Sequence, residues 1–298
     1  MDQTPPQGDI SLVLSASMLA LFTSWIAYRF GFYRFPEKSK KTDEKIYFPE
    51  VAGAFLTFLI TILVIVPILS VAWLSWKSGH LMNVPEENLD FLTKSKLNLF
   101  AIFLSGIAVG GYVCLLSSRA RHAILRDGTY SGISANLYSL GLGLSAWFVS
   151  YPLVLVVNQA VSYLKAWLEL PGSQNEQVAV RYLRMTTDHP ILFLATAFLI
   201  VAVVPIIEEL LFRGFLQTWL RQKLSLVPAI VLTSLIFSSF HYSSSQGLDN
   251  IELLSSLFIL SCFLGFLYEK QQSIIAPIGL HMTFNAISVL MIFFNMEK

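Results

Sequence analysis

Charge is what this sequence has least of. Only 13% of its 298 residues are Asp, Glu, Lys or Arg, whereas 55% are hydrophobic and the mean hydropathy is +0.63. Soluble domains carry roughly 25% charged residues, so about half the usual complement is missing and a water-solvated domain is excluded. The charges that remain sum to a net +1 and form no basic cluster, which leaves no basis for nucleic-acid binding. Cysteine is also scarce. Cys114 and Cys262 both lie inside apolar runs, which excludes a CxxC redox pair and makes them packing residues rather than a disulfide. Neither an internal repeat nor a low-complexity tract is visible. The first apolar run follows Asp2 and Asp9 with no Lys or Arg before it. Without a basic leader or an A-x-A-like cleavage site it reads as a retained span rather than a signal peptide.

Long apolar stretches are what the chain has instead. Eight segments can be marked, at approximately 11–30, 51–74, 98–116, 136–164, 190–212, 228–242, 253–268 and 274–294. A spanning helix needs about 20 mostly apolar residues. The fold class is therefore an all-α membrane protein with about eight transmembrane helices. The seventh segment is short for a full span, as in a helix that tilts little or sits in a thinned bilayer. The fourth contains Pro152, which predicts a kink. The turn-rich stretch Pro171-Gly172-Ser173-Gln174-Asn175 divides the chain into residues 1–170 and 171–298. Just beyond it Val178, Val180, Leu183 and Met185 alternate with Arg181 and Arg184 as in a short interfacial segment.

Orientation follows from where the loops keep their Lys and Arg. Arg29, Arg34, Lys38, Lys40, Lys41 and Lys45 follow the first span, Arg119, Arg121 and Arg126 the third, Arg213, Arg221 and Lys223 the fifth, and Lys270 the seventh. These outnumber Lys77, Lys94, Lys96, Lys165, Arg181, Arg184 and Lys298 on the other side. Both termini are expected outside the cytoplasm. Compact loops and the lack of organellar targeting point to a bacterial inner membrane.

Ionisable residues within spans are costly and are functional candidates by default. The first four spans contain no convergent polar set, so their role reads as structural or substrate-guiding. The second half concentrates such residues in three places. In Pro205-Ile206-Ile207-Glu208-Glu209-Leu210-Leu211-Phe212-Arg213-Gly214, Glu209 and Arg213 stand i,i+4 and can pair, while Glu208 is rotated by about 100°. One carboxylate is then held by Arg and the other left for proton work, with desolvation making it a better base. The bland alternative is an interfacial Glu–Arg pair at a helix end. In Phe237-Ser238-Ser239-Phe240-His241 the Phe and His share a face, and a lone His at a membrane end is more often interfacial than a ligand. In His281-Met282-Thr283-Phe284-Asn285 the His and Asn share a face deep in an apolar run, where an interhelical hydrogen-bond clasp weighs evenly against catalysis. Taken together, two carboxylates, an Arg, two His and an Asn from three spans favour chemistry. Imidazoles and a carboxylate suit Zn²⁺ and equally suit deprotonation of a water without metal. Asn285 can donate to an oxyanion.

Glu208-Glu209-x-x-x-Arg213, Phe237-x-x-x-His241 and His281-x-x-x-Asn285 resemble, in order and spacing, the three motifs of the CAAX-protease and bacteriocin-processing membrane peptidases. The flanks Pro205–Gln217 and Gly265–Asn285 resemble the family too, over roughly residues 188–295. The resemblance implies a peptidase core bundle formed by the C-terminal four helices. It implies that Glu208 and His241 activate water and that His281 and Asn285 line the same cavity. Glu209 and Arg213 would support the first motif, Arg213 would also place substrate, and Phe237 would pack beside the site. It leaves a glutamate mechanism and a metal mechanism both open, with Zn²⁺ on Glu208, His241 and His281 in the second. The implied partners are a peptide or lipidated-protein substrate and the bilayer.

Two other classes compete. A non-catalytic scaffold or immunity protein of the same fold has no need of Glu208. A proton-coupled transporter predicts repeats or broken helices in both halves, and the first half has no matching polar set. The simple map also holds a conflict. His241 falls at the far end of the sixth run, away from Glu208, unless that span is re-entrant, tilted or extended through Tyr242–Ser245.

Overall fold

In hydrocarbon the backbone N–H and C=O groups have no water to bond, so runs this apolar fold as helices. The computed structural model describes residues 10–35, 45–79, 89–126, 132–170 and 183–296, and among these there is no strand. In chain order the helices are α1 (Ile10–Arg29), α2 (Phe48–Ser78), α3 (Phe91–Leu115), α4 (Ser118–Leu125), α5 (Ile133–Trp167), α6 (Pro190–Arg221), α7 (Leu226–Ser239), α8 (Asp249–Gln271) and α9 (Ile275–Met296). Among the described residues, all but α4 and α7 are long and apolar enough to cross a membrane. Large apolar side chains such as Leu21, Leu63, Phe148 and Ile191 stand exposed along them, as lipid-facing surfaces require. Of the proposed interfacial segment, Val178, Val180 and Arg181 lie outside the described residues, as does Pro171–Asn175.

The apolar runs understate several helices, and the reason is pairing of the flanking charges. The seventh segment, expected to be short, is the 23-residue α8. Its extra turns carry Asp249 and Glu252 at one end, both bound by Lys165 of α5, and Glu269 and Lys270 at the other. Glu269 receives Arg126 through two contacts of 3.0 and 3.1 Å, and Arg221 at 3.4 Å. Lys270 donates to the carbonyls of Gly31, Phe32 and Arg34. It is the sixth segment that is short, since α7 has 14 residues. Pro152 lies inside α5 without interrupting it.

Two other prolines widen their helices. Residues Thr61–Ile65 and Leu199–Val203 form π turns immediately before Val66-Pro67 and Val204-Pro205. Proline has no N–H, and its ring pushes away the carbonyl four residues earlier, so the preceding turn opens by one residue.

The chain forms two compact units, interleaved along the sequence. One comprises Met1–Asp43, Arg126–Gln177 and Leu220–Phe284, and the other Glu44–Leu125, Val178–Trp219 and Asn285–Lys298. In the first, α5 packs against α1 and α8, and α8 against α7. Its core gathers Ala146, Leu260, Leu264, Leu267, Ala276 and Leu280. Gly143 lets α5 approach α9 closely, because a Cβ there would stand 2.2 Å from the Ala276 carbonyl oxygen. In the second unit α2, α3 and α6 pack together, with α4 against the end of α6. The C-terminal helices are thus shared between units, and each unit also draws on the N-terminal half.

Contacts inside the first unit bear on topology. Gly31–Arg34, Arg126, Arg221 and the end of α8 are tied together at one end by Glu269 and Lys270. These are segments that the charge bias puts on one side of the membrane. Lys165 and the start of α8 lie at the opposite end.

Candidate active site

The first motif belongs to the second unit. Glu209 and Arg213 are both fully buried, and Arg213 Nη1 donates to Glu209 Oε1 at 2.9 Å, the i,i+4 pair that the spacing predicts. A buried carboxylate keeps its charge only if it is paired, and Arg213 supplies that partner. Glu208, one position earlier on the helix, is half-buried, so the adjacent carboxylates do face different surroundings. From Leu210 to Gln217 the helix widens into a π turn, a form that recurs at functional sites. Its side chains are wedged by rings of the same unit, Phe212 against Phe55 and Phe215 against Tyr112. Thr218 closes the turn through its N–H and hydroxyl, both on the Arg213 carbonyl.

Asn285 enters this unit from α9. In the π turn before Pro205 the Val204 N–H bonds the Leu199 carbonyl, five residues back. The Ile200 carbonyl would then need the N–H of residue 205, which is proline. Asn285 Nδ2 donates to that carbonyl at 2.8 Å. The interhelical clasp weighed for this Asn is therefore present, and it engages one of two amide hydrogens.

The second and third motifs meet in the first unit. Phe237 is fully buried, its ring centroid 4.9 Å from that of His241 and 6.0 Å from that of His281, the latter edge-on. His281 is itself buried. The His241 N–H turns to the Ser238 carbonyl at 3.0 Å, so the Phe237 carbonyl is taken by the ring of His241, whose Nδ1 lies 3.0 Å away. A carbonyl can only accept, so Nδ1 carries a proton, and in the neutral ring the lone pair is then on Nε2. An imidazole fixed this way is suited to act as a base or a ligand through Nε2.

The end of the sixth segment differs from its expected place. α7 and α8 run side by side from the end marked by Arg221 and Glu269. At 1.5 Å per residue, α7 ends roughly 13 Å short of the far end of α8. Of the three alternatives for this span, helical extension through Tyr242–Ser245 is not seen, because α7 stops at Ser239 and the chain leaves as a turn. Asn250 supplies the reason, bonding both the N–H and the C=O of Ser243 outside any helix.

The structure therefore brings Phe237, His241 and His281 together in one unit, and Glu208, Glu209, Arg213 and Asn285 belong to the other. Within each unit no three His, Cys, Asp or Glu side chains of the described residues are grouped as metal ligands would be. Sequence reasoning passed over Asn250 and Glu269. Glu269 was legible as an ionisable residue at the very end of an apolar segment, whereas Asn250 lies at a loop end with no periodic signal.

Residues 190–287 match the family described as type II CAAX prenyl endopeptidase Rce1-like. This segment is Rce1-like. The resemblance drawn from the three motifs is borne out, since Glu208, Glu209, Arg213, Phe237, His241, His281 and Asn285 all fall inside the Rce1-like segment. The match spans α6 to the middle of α9, about a third of the chain. No curated protein and no solved structure matches. With its membrane-spanning helices, the chain is a multi-pass membrane protein with a segment that matches an endopeptidase family.

Proposed function

We propose that this chain is an intramembrane endopeptidase that hydrolyses a peptide bond of a membrane-associated or lipidated peptide, with Glu208 and His241 activating the attacking water. The observation that carries the proposal is that every chemistry-bearing motif of the sequence falls in the Rce1-like segment. Local geometry supports the division of roles. Arg213 neutralises Glu209, which leaves proton transfer to Glu208. The Nδ1–H tautomer of His241 presents Nε2 as an acceptor for a water proton.

In the proposed cycle Glu208 takes a proton from water, and the water oxygen bonds the scissile carbonyl carbon. The oxyanion so formed is met by the second amide hydrogen of Asn285. Collapse breaks the C–N bond, and the proton held by Glu208 passes to the departing amine. Were zinc used instead, Glu208, His241 and His281 would hold it and it would polarise the attacking water; no step is assigned to it.

The test is cleavage of a panel of prenylated and unmodified membrane peptides by the detergent-purified protein, wild type beside Glu208→Ala and His241→Ala, with metal content read on the same samples. Loss of a general acid–base group costs roughly 10²–10⁴-fold, and each variant is expected to fall by that much. Folded variants that cleave at the wild-type rate would refute the assignment.

A further inference from the structure

We infer that Asn250 is a positioning residue for His241, acting through the short loop that joins α7 to α8; the inference rests on the reading of His241 as the imidazole that orients water. Asn250 is buried, and its carboxamide is fully engaged with this one loop. Its Oδ1 accepts from the Ser243 N–H at 3.0 Å, and its Nδ2 donates to the carbonyls of Ser243 at 2.7 Å and Gly247 at 2.9 Å. One side chain thus pairs both backbone groups of Ser243, as a neighbouring strand would, two residues beyond His241. Gly247 adopts φ +49°, ψ −127°, a conformation open to glycine and costly for other residues. The base of the clamp is itself anchored, since the flanking Asp249 and Glu252 are bound by Lys165 of α5.

The link to the imidazole is geometric. His241 caps its own helix by donating from Nδ1 to the Phe237 carbonyl, which the ring can reach because the chain leaves the helix as a turn, the N–H groups of His241 and Tyr242 bonding the carbonyls of Ser238 and Ser239. Asn250 fixes that departure by holding Ser243. Without it the last turn of α7 is at liberty to continue toward Ser243, His241 N–H competes for the Phe237 carbonyl, and the ring loses the bond that sets its tautomer. No other residue type reproduces the clamp. Aspartate keeps the acceptor but turns an oxygen toward two carbonyls, serine is too short, and glutamine is too long.

The experiment is nitrogen NMR of the imidazole groups in the full-length protein in micelles, wild type beside Asn250→Asp and Asn250→Ser, with His122 and His189 as reporters of intact folding. Wild-type His241 is expected as a single Nδ1–H tautomer, and both variants as a mixture of tautomers with the reporter signals unmoved. On cleavable peptide, the variants are expected to lose about 10–100-fold in kcat, the range for removing a group that orients a site residue, with KM nearly unchanged. Variants with unmoved reporters that keep the single tautomer and the wild-type kcat would overturn the proposal. A wild-type measurement covers the case in which neither variant folds. The Ser243 amide is expected to resist hydrogen exchange, and free exchange there would overturn the clamp outright. Tautomer and exchange need no substrate, so failure of the endopeptidase reading appears as absent cleavage with the clamp intact.

Discussion

The Glu209–Arg213 pair offers the sharpest test of the physics at the first motif. Both side chains are wholly removed from solvent and meet at 2.9 Å. Removing one partner of such a pair leaves an uncompensated buried charge and costs about 3–5 kcal/mol. Replacing both by apolar groups of similar volume is often neutral or stabilising by about 1–4 kcal/mol. Arg213→Met alone is therefore expected to lose about 3–5 kcal/mol, a large share of a typical stability of about 5–15 kcal/mol. Glu209→Leu combined with Arg213→Met should recover most of that loss. The assay is equilibrium unfolding in mixed micelles, with the single variants and the double variant measured side by side. If the double variant is no more stable than Arg213→Met, or if Arg213→Met costs under about 1 kcal/mol, the pair is not desolvated as its burial implies. Activity of the folded double variant separates the roles further. A purely structural pair would leave cleavage intact, whereas a support for the motif or an anchor for substrate would not.

Two smaller predictions follow from the helix crossings. Gly143→Ala sets a Cβ 2.2 Å from the Ala276 carbonyl oxygen and should cost about 1–3 kcal/mol or more. Gly141→Ala on the same helix meets nothing within 4 Å and should be neutral or stabilise by up to about 1 kcal/mol, and equal effects in thermal unfolding would sink the close-approach argument. Asn285→Leu should cost about 1–3 kcal/mol by stripping the Ile200 carbonyl of its donor. Pro205→Ala restores the missing N–H, so a double-mutant cycle should show the Asn285→Leu penalty shrinking in that background, and additivity within about 0.5 kcal/mol would contradict it.

The legible part of this molecule was everything governed by periodicity and local spacing. Seven of the eight apolar segments became helices long enough to span, because lipid leaves the backbone no alternative. The Glu209–Arg213 pair formed as drawn, since i,i+4 spacing is a property of one helix. Helix ends were harder to read. α8 runs on through Asp249, Glu252, Glu269 and Lys270 because each charge finds a partner on another segment, and hydropathy does not register partners. The end of α7 was misjudged for the converse reason, as Asn250 draws Ser243 out of the helix from seven residues downstream. The π turns were equally hidden. Pro67 and Pro205 announce a disturbed helix, yet whether it kinks, breaks or widens depends on what receives the freed carbonyl.

That last point changes how the bland and the functional readings of each motif should be weighed. All three motifs carry a structural bond: Arg213 on Glu209, His241 on the carbonyl of Phe237, Asn285 on the carbonyl of Ile200. None of these bonds uses up its residue. Guanidinium has five donors, imidazole two nitrogens and carboxamide two hydrogens and an oxygen. In each case the structural bond fixes the orientation in which the remaining valence is offered. Catalysis gains from groups held in place before the substrate arrives, and in a membrane that holding must come from protein, because water is not there to do it. A clasp at a motif position is then no argument against chemistry there. The relevant question is how the clasp orients the group, and for His241 it fixes the ring by Nδ1, so that any proton transfer runs through Nε2.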